Sequence, residues 1–319
     1  MKTFLAGLAI FVLLCAPKGA GAKAHHPPNQ PFSESDSEAS LPNTTGPIIT
    51  DDALVQPYRT WCVQITPTIP FVGGKFSQNW QRRSVHGNYR SLQVPVDVFY
   101  GLTPQMDTSF EFNFIQNWAS NVGQANRAAS FGSLGDSSFS LRYRFLDGKT
   151  TAPTLTGYFS VLFPTGHAGN LEPKLLGIDQ TGNGAFAFTW GLDFFTYLPR
   201  GPILFYANVW YTNYAAGRVN GQPVYYPDQV TVNVAFEVPL KKSSRNRWAF
   251  LLEILSTWDA GRLFGPRANQ SATALITILP ALEFLPTERF TLAAGVQVDL
   301  FGKNTHYTYT PTLAWFINF

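Results

Sequence analysis

Charge is scarce in this chain: only 13% of its 319 residues are Asp, Glu, Lys or Arg. Disordered and nucleic-acid-binding chains carry far more. The balance of 23 basic against 20 acidic residues leaves a formal charge of +3. No basic block is longer than Lys241-Lys242, so no nucleic-acid partner is expected. Long apolar runs are missing as well. Beyond the N-terminus nothing approaches the roughly 18 uninterrupted apolar residues of a spanning helix, which excludes a helical membrane protein. Histidine is sparse too, with only His86, His167 and His306 beyond residue 57. His86 and His167 lie in predicted loops, His306 opens the last strand with no Asp or Ser patterned beside it, and neither a Gly-x-Ser-x-Gly motif nor a His/Cys metal spacing occurs. No catalytic residue, metal or cofactor is therefore expected.

The N-terminus has the form of a secretory signal over residues 1–22. Lys2 is followed by the apolar run Phe4 to Cys15 and by the small-x-small site Ala20-Gly21-Ala22. A lipid-modified Cys normally follows a small residue, whereas Cys15 follows Leu14, so cleavage after Ala22 is expected rather than lipidation. Cleavage removes Lys2 and Lys18, which leaves 21 basic against 20 acidic residues. It also removes Cys15, so Cys62 is the sole remaining thiol and no intrachain disulfide can form in the oxidising compartment. Residues 23–57 hold His25-His26-Pro27-Pro28 and the acidic, Ser-rich stretch Ser33 to Ser40. Such a composition cannot offset its own ordering entropy, which predicts a flexible periplasmic arm; a plug or partner-binding arm is the sharper alternative.

What the chain has is aromatic residues, 15% of the total, set in period-two alternation from Tyr58 onward. In Gln105 to Ile115, Met106, Thr108, Phe110, Phe112 and Phe114 share one face, while Gln105, Asp107, Ser109, Glu111 and Asn113 share the other. Twelve such segments are predicted: 58–71, 90–101, 105–115, 136–146, 153–163, 184–197, 202–214, 229–240, 246–258, 272–284, 289–301 and 305–319. Each is near the length of a tilted strand that crosses a bilayer. Short turns follow the even segments, and longer loops follow the first, third, fifth, seventh and ninth. A soluble sandwich has no reason for that asymmetry, whereas an outer-membrane barrel has short periplasmic turns and long outer loops. The connection Phe301 to Asn304 breaks the pattern by being short. Pro67, Pro239, Pro280 and Pro311 fall within predicted strands, where bulges or boundaries are expected. The expected fold is thus an all-β transmembrane antiparallel up-and-down barrel over residues 58–319, in the bacterial outer membrane.

The last segment alternates Tyr307, Tyr309, Pro311, Leu313, Trp315, Ile317 and Phe319 with polar or small residues. Its terminal aromatic resembles the signature read by the outer-membrane barrel assembly machinery, with Tyr309, Trp315 and Phe319 as the signal. Trp61, Trp118, Trp190, Trp248, Trp258 and Trp315 lie mostly near segment ends, where interfacial girdles form against the lipid bilayer. The opposite register places Asp97, Glu111, Arg142, Arg144, Asp193, Glu237 and Glu253 in the lumen. Asp97, Glu111 and the two arginines lie on neighbouring strands and are expected to meet in one network; Glu237 and Glu253 are neighbours too. Such a network acts either as a charged constriction or as a lattice that locks the strands. Phe99, Ile115, Tyr158, Leu162, Phe195, Tyr206, Trp210 and Leu251 share the inner wall, suiting an aromatic or amphipathic solute or packing against the N-terminal segment.

Gly135-Asp136, the strand Phe139 to Leu146, and a following strand that closes in Phe163-Pro164-Thr165-Gly166 carry a family resemblance. The stretch 132–166 resembles the MetA-pathway-of-phenol-degradation family of outer-membrane β-barrel, transporter-like proteins. That resemblance implies passage of aromatic compounds across the outer membrane and brings no catalytic or binding residues with it. The expected function is a passive channel for small solutes, aromatic ones among them, and not an enzyme. The alternative is a closed structural or interaction barrel that binds a partner through its long loops or N-terminal arm.

Overall fold

A computed structural model describes residues 46–122, 126–148, 152–198, 203–240, 248–260, 266–287 and 289–319. The predicted signal segment 1–22 and residues 23–45 lie outside the described residues. Twelve strands form one closed antiparallel ring. β1 is split into Trp61–Ile65 and Phe71–Phe76; β2 is Asn88–Thr103 and β3 is Met106–Val122. β4 is split into Arg127–Leu134 and Ser137–Leu146; β5 is Thr154–Phe163, β6 Ala187–Leu198 and β7 Ile203–Tyr214. β8 is Asp228–Pro239, β9 Trp248–Ala260, β10 Ala274–Thr287, β11 Phe290–Lys303 and β12 His306–Asn318. Each strand pairs with its sequence neighbours, and β1 closes the ring on β12, from Cys62↔Asn318 to Ile65↔Trp315. The Phe319 N–H completes the seam by donating to the Trp61 carbonyl at 2.9 Å.

Alternation decides which face meets what. Phe112, Phe114, Leu282, Tyr309 and Leu313 point outward and are exposed, while Thr310, Thr312 and Ala314, interleaved with the last two, are buried inside. A closed ring has no free edge, so backbone polar groups are satisfied within the wall, and an apolar exterior of this extent is stable only against lipid. The fold is therefore a transmembrane β-barrel of the outer-membrane type, as the alternation predicts.

Two expectations need correction. The long loop predicted after the third strand does not exist. β3 and β4 continue as a paired hairpin, from Phe114↔Leu134 up to Val122↔Arg127. Polarity stops alternating there while β pairing continues, so a reading that tracks only the apolar face ends the strand too early. The second correction concerns the arm: its last part, residues 46–57, is not free but lies inside the barrel. Composition predicts disorder for a segment that must bury its own surface; here the wall supplies the partners.

The prolines fall where the ladders permit them. Pro67 lies in the break of β1, and Pro239 ends β8. Pro280 sits where the β10–β11 ladder skips from Ile278↔Val298 to Ala281↔Gly295. Pro311 keeps its register against Val296, and its carbonyl accepts the Ile69 N–H at 3.0 Å.

The Gly135-Asp136 and Pro164-Thr165-Gly166 motifs form one tie. The Asp136 carboxylate accepts the N–H groups of Gly166 (2.9 Å) and Asn183 (2.7 Å). The Thr165 hydroxyl donates to the Gly135 carbonyl at 3.0 Å and accepts the Ser137 N–H at 2.9 Å. A Cβ on Gly166 would come within 2.7 Å of the Gly182 backbone, so a side chain there would push the loop off the wall. The motif fastens the 164–186 loop to the break in β4.

Candidate functional site

Residues 46–57 form a strap that follows the inner wall from β9 round to β3. Its main chain is held by wall side chains. The Glu253 carboxylate on β9 accepts three consecutive N–H groups, those of Ile48 (2.7 Å), Ile49 (3.2 Å) and Thr50 (2.7 Å). Asn208 on β7 pairs with Asp51 as a backbone amide would, accepting its N–H and donating to its carbonyl, each at 2.8 Å. The Thr156 hydroxyl on β5 donates to the Ala53 carbonyl. Arg142 on β4 donates to the carbonyls of Asp52 (2.9 Å) and Leu54 (3.4 Å), and Asp107 on β3 accepts the Gln56 N–H at 2.6 Å. From the opposite wall Gln64 donates to the Ile48 carbonyl at 3.2 Å.

Apolar anchors complete the fit. Ile48 packs with Leu251, Leu279, Ala281, Ala293, Ala314 and Phe316. Ala53 packs with Phe195, Leu204, Tyr206 and Ala235. Phe195, Tyr206 and Leu251 on the inner wall thus pack against the N-terminal segment. The strap does not fill the lumen. A cleft of about 170 Å³ remains beside it, lined by Asp51, Asp52 and Arg142 with Cys62, Gln64 and Phe99 of the facing wall. Burial pushes the Asp52 carboxyl up to about 7, opposed by the Leu54 N–H and by the charge of Arg142. Burial likewise raises Asp51.

The predicted lumen residues all face inward, but they do not form one network. Arg142 makes its ion pair with Asp107, through Nε at 2.9 Å and Nη2 at 2.6 Å, and not with Asp97 or Glu111. The cause is register: Asp107 stands directly opposite Arg142, whereas Glu111 stands opposite Ser138 and accepts its hydroxyl at 3.2 Å. Arg144 turns to the β2–β3 turn, donating to the Pro104 carbonyl at 2.9 Å, and lies 3.6 Å from Asp147. Asp97 is the cross-strand partner of Glu111. Asp193 accepts the Asn208 amide (3.0 Å) and the Trp210 indole N–H (2.8 Å). Glu237 accepts the Tyr206 hydroxyl at 2.9 Å, while its neighbour Glu253 serves the strap. Asp107, Thr156 and Asn208 hold the strap at positions that sequence reasoning did not single out, although alternation alone places Asp107 on the inner face.

The barrel superposes on the crystal structure of an outer-membrane channel from Pseudomonas putida F1 with a TM-score of 0.68 at 12% identity, covering 84% of this chain and 98% of that one. The translocator domain of the autotransporter NalP from Neisseria meningitidis scores 0.44 at 11% identity, over 83% and 90% of the two chains. The P. putida toluene transporter TodX scores 0.41 at 8% identity, over 88% and 96%. Both lie below the level at which a common topology can be argued. No family model and no curated protein matches the chain. What the chain shares with the P. putida F1 channel is its fold, along nearly the whole length of that channel.

Proposed function

We propose that the protein is a passive outer-membrane channel for small solutes, narrowed by its own N-terminal strap. The carrying observation is the polar cleft left beside a strap that the wall grips by its main chain. A lattice meant only to lock strands would use its polar groups on one another; here Glu253 and Asn208 hold the main chain of the strap, and even the paired Arg142 and Asp107 each bond it as well. The shared fold with a protein described as an outer-membrane channel supports the same reading. The resemblance to the phenol-degradation family, with Phe99 at the cleft and the Tyr158 and Trp210 rings stacked 5.0 Å apart, favours aromatic solutes among those that pass. Planar-bilayer recording on the mature protein is expected to show discrete ohmic steps. Silence from protein whose folding is confirmed by heat-modifiable gel mobility would favour a closed interaction barrel instead.

Insertion is proposed to use the last strand. Tyr309 and Phe319 are exposed on the outer face, with Trp315 in the same register. This aromatic stripe next to the closing seam is the surface we assign to the barrel assembly machinery. Deleting Phe319 is expected to lower the heat-modifiable form in outer-membrane fractions several-fold. An unchanged level would remove Phe319 from that role.

A further inference from the structure

The outward register of β2 runs Tyr100, Val98, Val96, Val94 and Leu92, and ends at Arg90. Tyr100 packs on Trp61 at the periplasmic end, with ring centroids 4.4 Å apart. At a rise of about 3.3 Å per residue and a tilt of about 40°, the stretch from Tyr100 to Arg90 climbs about 25 Å, the height of a barrel's apolar band. Arg90 therefore faces lipid where the hydrocarbon of the outer leaflet gives way to headgroups. Its neighbours are rings. Arg90 lies over Trp118, 5.1 Å from the ring centroid, and stands opposite Phe71, which stands opposite Tyr309. Phe71 and Tyr309 are both exposed.

A second guanidinium joins it. Arg82 belongs to a short return segment that pairs back on the end of β1. It leans over the Tyr307 ring at 5.1 Å and reaches the Asp299 and Leu300 carbonyls through Nη2, at 3.1 and 3.2 Å. The two guanidiniums thus flank β12 and β1, about two strand spacings or roughly 10 Å apart, with Phe71 and Tyr309 between them. The local charge is one-sided. Lys75, Arg82, Arg83 and Arg90 belong to no ion pair among the described residues. Lys75 even stands directly opposite Arg83, an unfavourable like-charge pairing that a nearby anion relieves. The carboxylate at this end of β11, Asp299, is buried on the lumen side and taken up by Thr277 and Thr308. Arginines at a membrane surface are suited to phosphate, and interfacial rings to the start of the acyl region.

We propose that the outer face of β12, β1 and β2, at the extracellular rim, binds an outer-leaflet lipid whose headgroup carries two phosphates, one held by Arg82 and one by Arg90, with its acyl chains against Phe71 and Tyr309. The inference rests on the barrel and its orientation and is independent of the channel reading. The test is native mass spectrometry of the mature protein released from detergent, titrated with diphosphoryl lipid A, with monophosphoryl lipid A and with phosphatidylethanolamine. Saturable retention of one diphosphoryl lipid per chain is expected, with the monophosphoryl form weaker by about tenfold or more and phosphatidylethanolamine weaker still. Arg82→Gln with Arg90→Gln should weaken the diphosphoryl lipid to the monophosphoryl level or below; if the pair does not fold, Arg90→Gln alone is titrated. Absence of a saturable adduct, equal retention of the three lipids, or retention untouched by the substitutions would each overturn the proposal. Displacement of the lipid by inorganic phosphate at equal concentration would identify a site for the free anion and overturn it as well.

Discussion

Replacing Arg142 with alanine is expected to destabilise the barrel by about 3–5 kcal/mol, the range for breaking a buried ion pair from one side. Arg142 is buried and donates four hydrogen bonds, two to the Asp107 carboxylate and two to strap carbonyls. Its loss leaves Asp107, which is fully buried, with the Gln56 N–H as its remaining donor. An uncompensated carboxylate in a low-dielectric interior either takes up a proton or weakens the fold. Removing both charges with apolar side chains of similar size, Arg142→Met with Asp107→Leu, removes that penalty, so the double variant should be more stable than Arg142→Ala alone. Urea unfolding of the lipid-reconstituted protein, followed by tryptophan fluorescence, separates the cases. A single variant as stable as the parent would mean that the pair contributes nothing.

Replacing Glu253 with alanine should release the strap and leave the wall intact. The carboxylate needs no partner once it is gone, whereas the N–H groups of Ile48, Ile49 and Thr50 lose their acceptor together. Each lost charge-assisted bond removes about 1.5–3 kcal/mol if no water replaces it, and the strap can regain water only by lifting away. Amide exchange at residues 48–50 is therefore expected to accelerate by about a hundredfold or more, with strand amides still protected. Open-channel conductance should rise in the same variant. Unchanged exchange at those three amides would show that Ile48, seated among Leu251, Leu279 and Phe316, suffices to hold the strap.

Much of the wall was legible in the sequence because a barrel strand carries its orientation in every second residue. Phe112 and Phe114 outside, with Glu111 and Asn113 alternating with them inside, needed no coordinates. The strap was not legible. Pro47 to Pro57 has no periodicity, because its fold comes from partners more than a hundred residues away, such as Asn208 and Glu253. The charge pairing was legible only in part. Alternation tells which face Arg142 occupies, but its choice of Asp107 over Glu111 depends on register, which no single strand encodes. The β3–β4 extension was missed for the reason that also makes it distinct: from Gln116 to Ala129 polarity no longer marks a face, while the two strands remain paired. The Gly135-Asp136 motif, noticed as a resemblance, proves to be the tie that holds the 164–186 loop.

The central claim is that the lumen is a conduit narrowed by residues 46–57. Its most direct test compares single-channel conductance of the mature protein with that of a form lacking residues 23–57, both in planar bilayers after folding is checked by gel mobility. The strapped barrel should conduct in small steps, as a cleft of about 170 Å³ beside the strap requires, and the strapless barrel in steps several times larger. Equal conductance in the two forms would contradict the strap's role, and silence in both would contradict the channel itself.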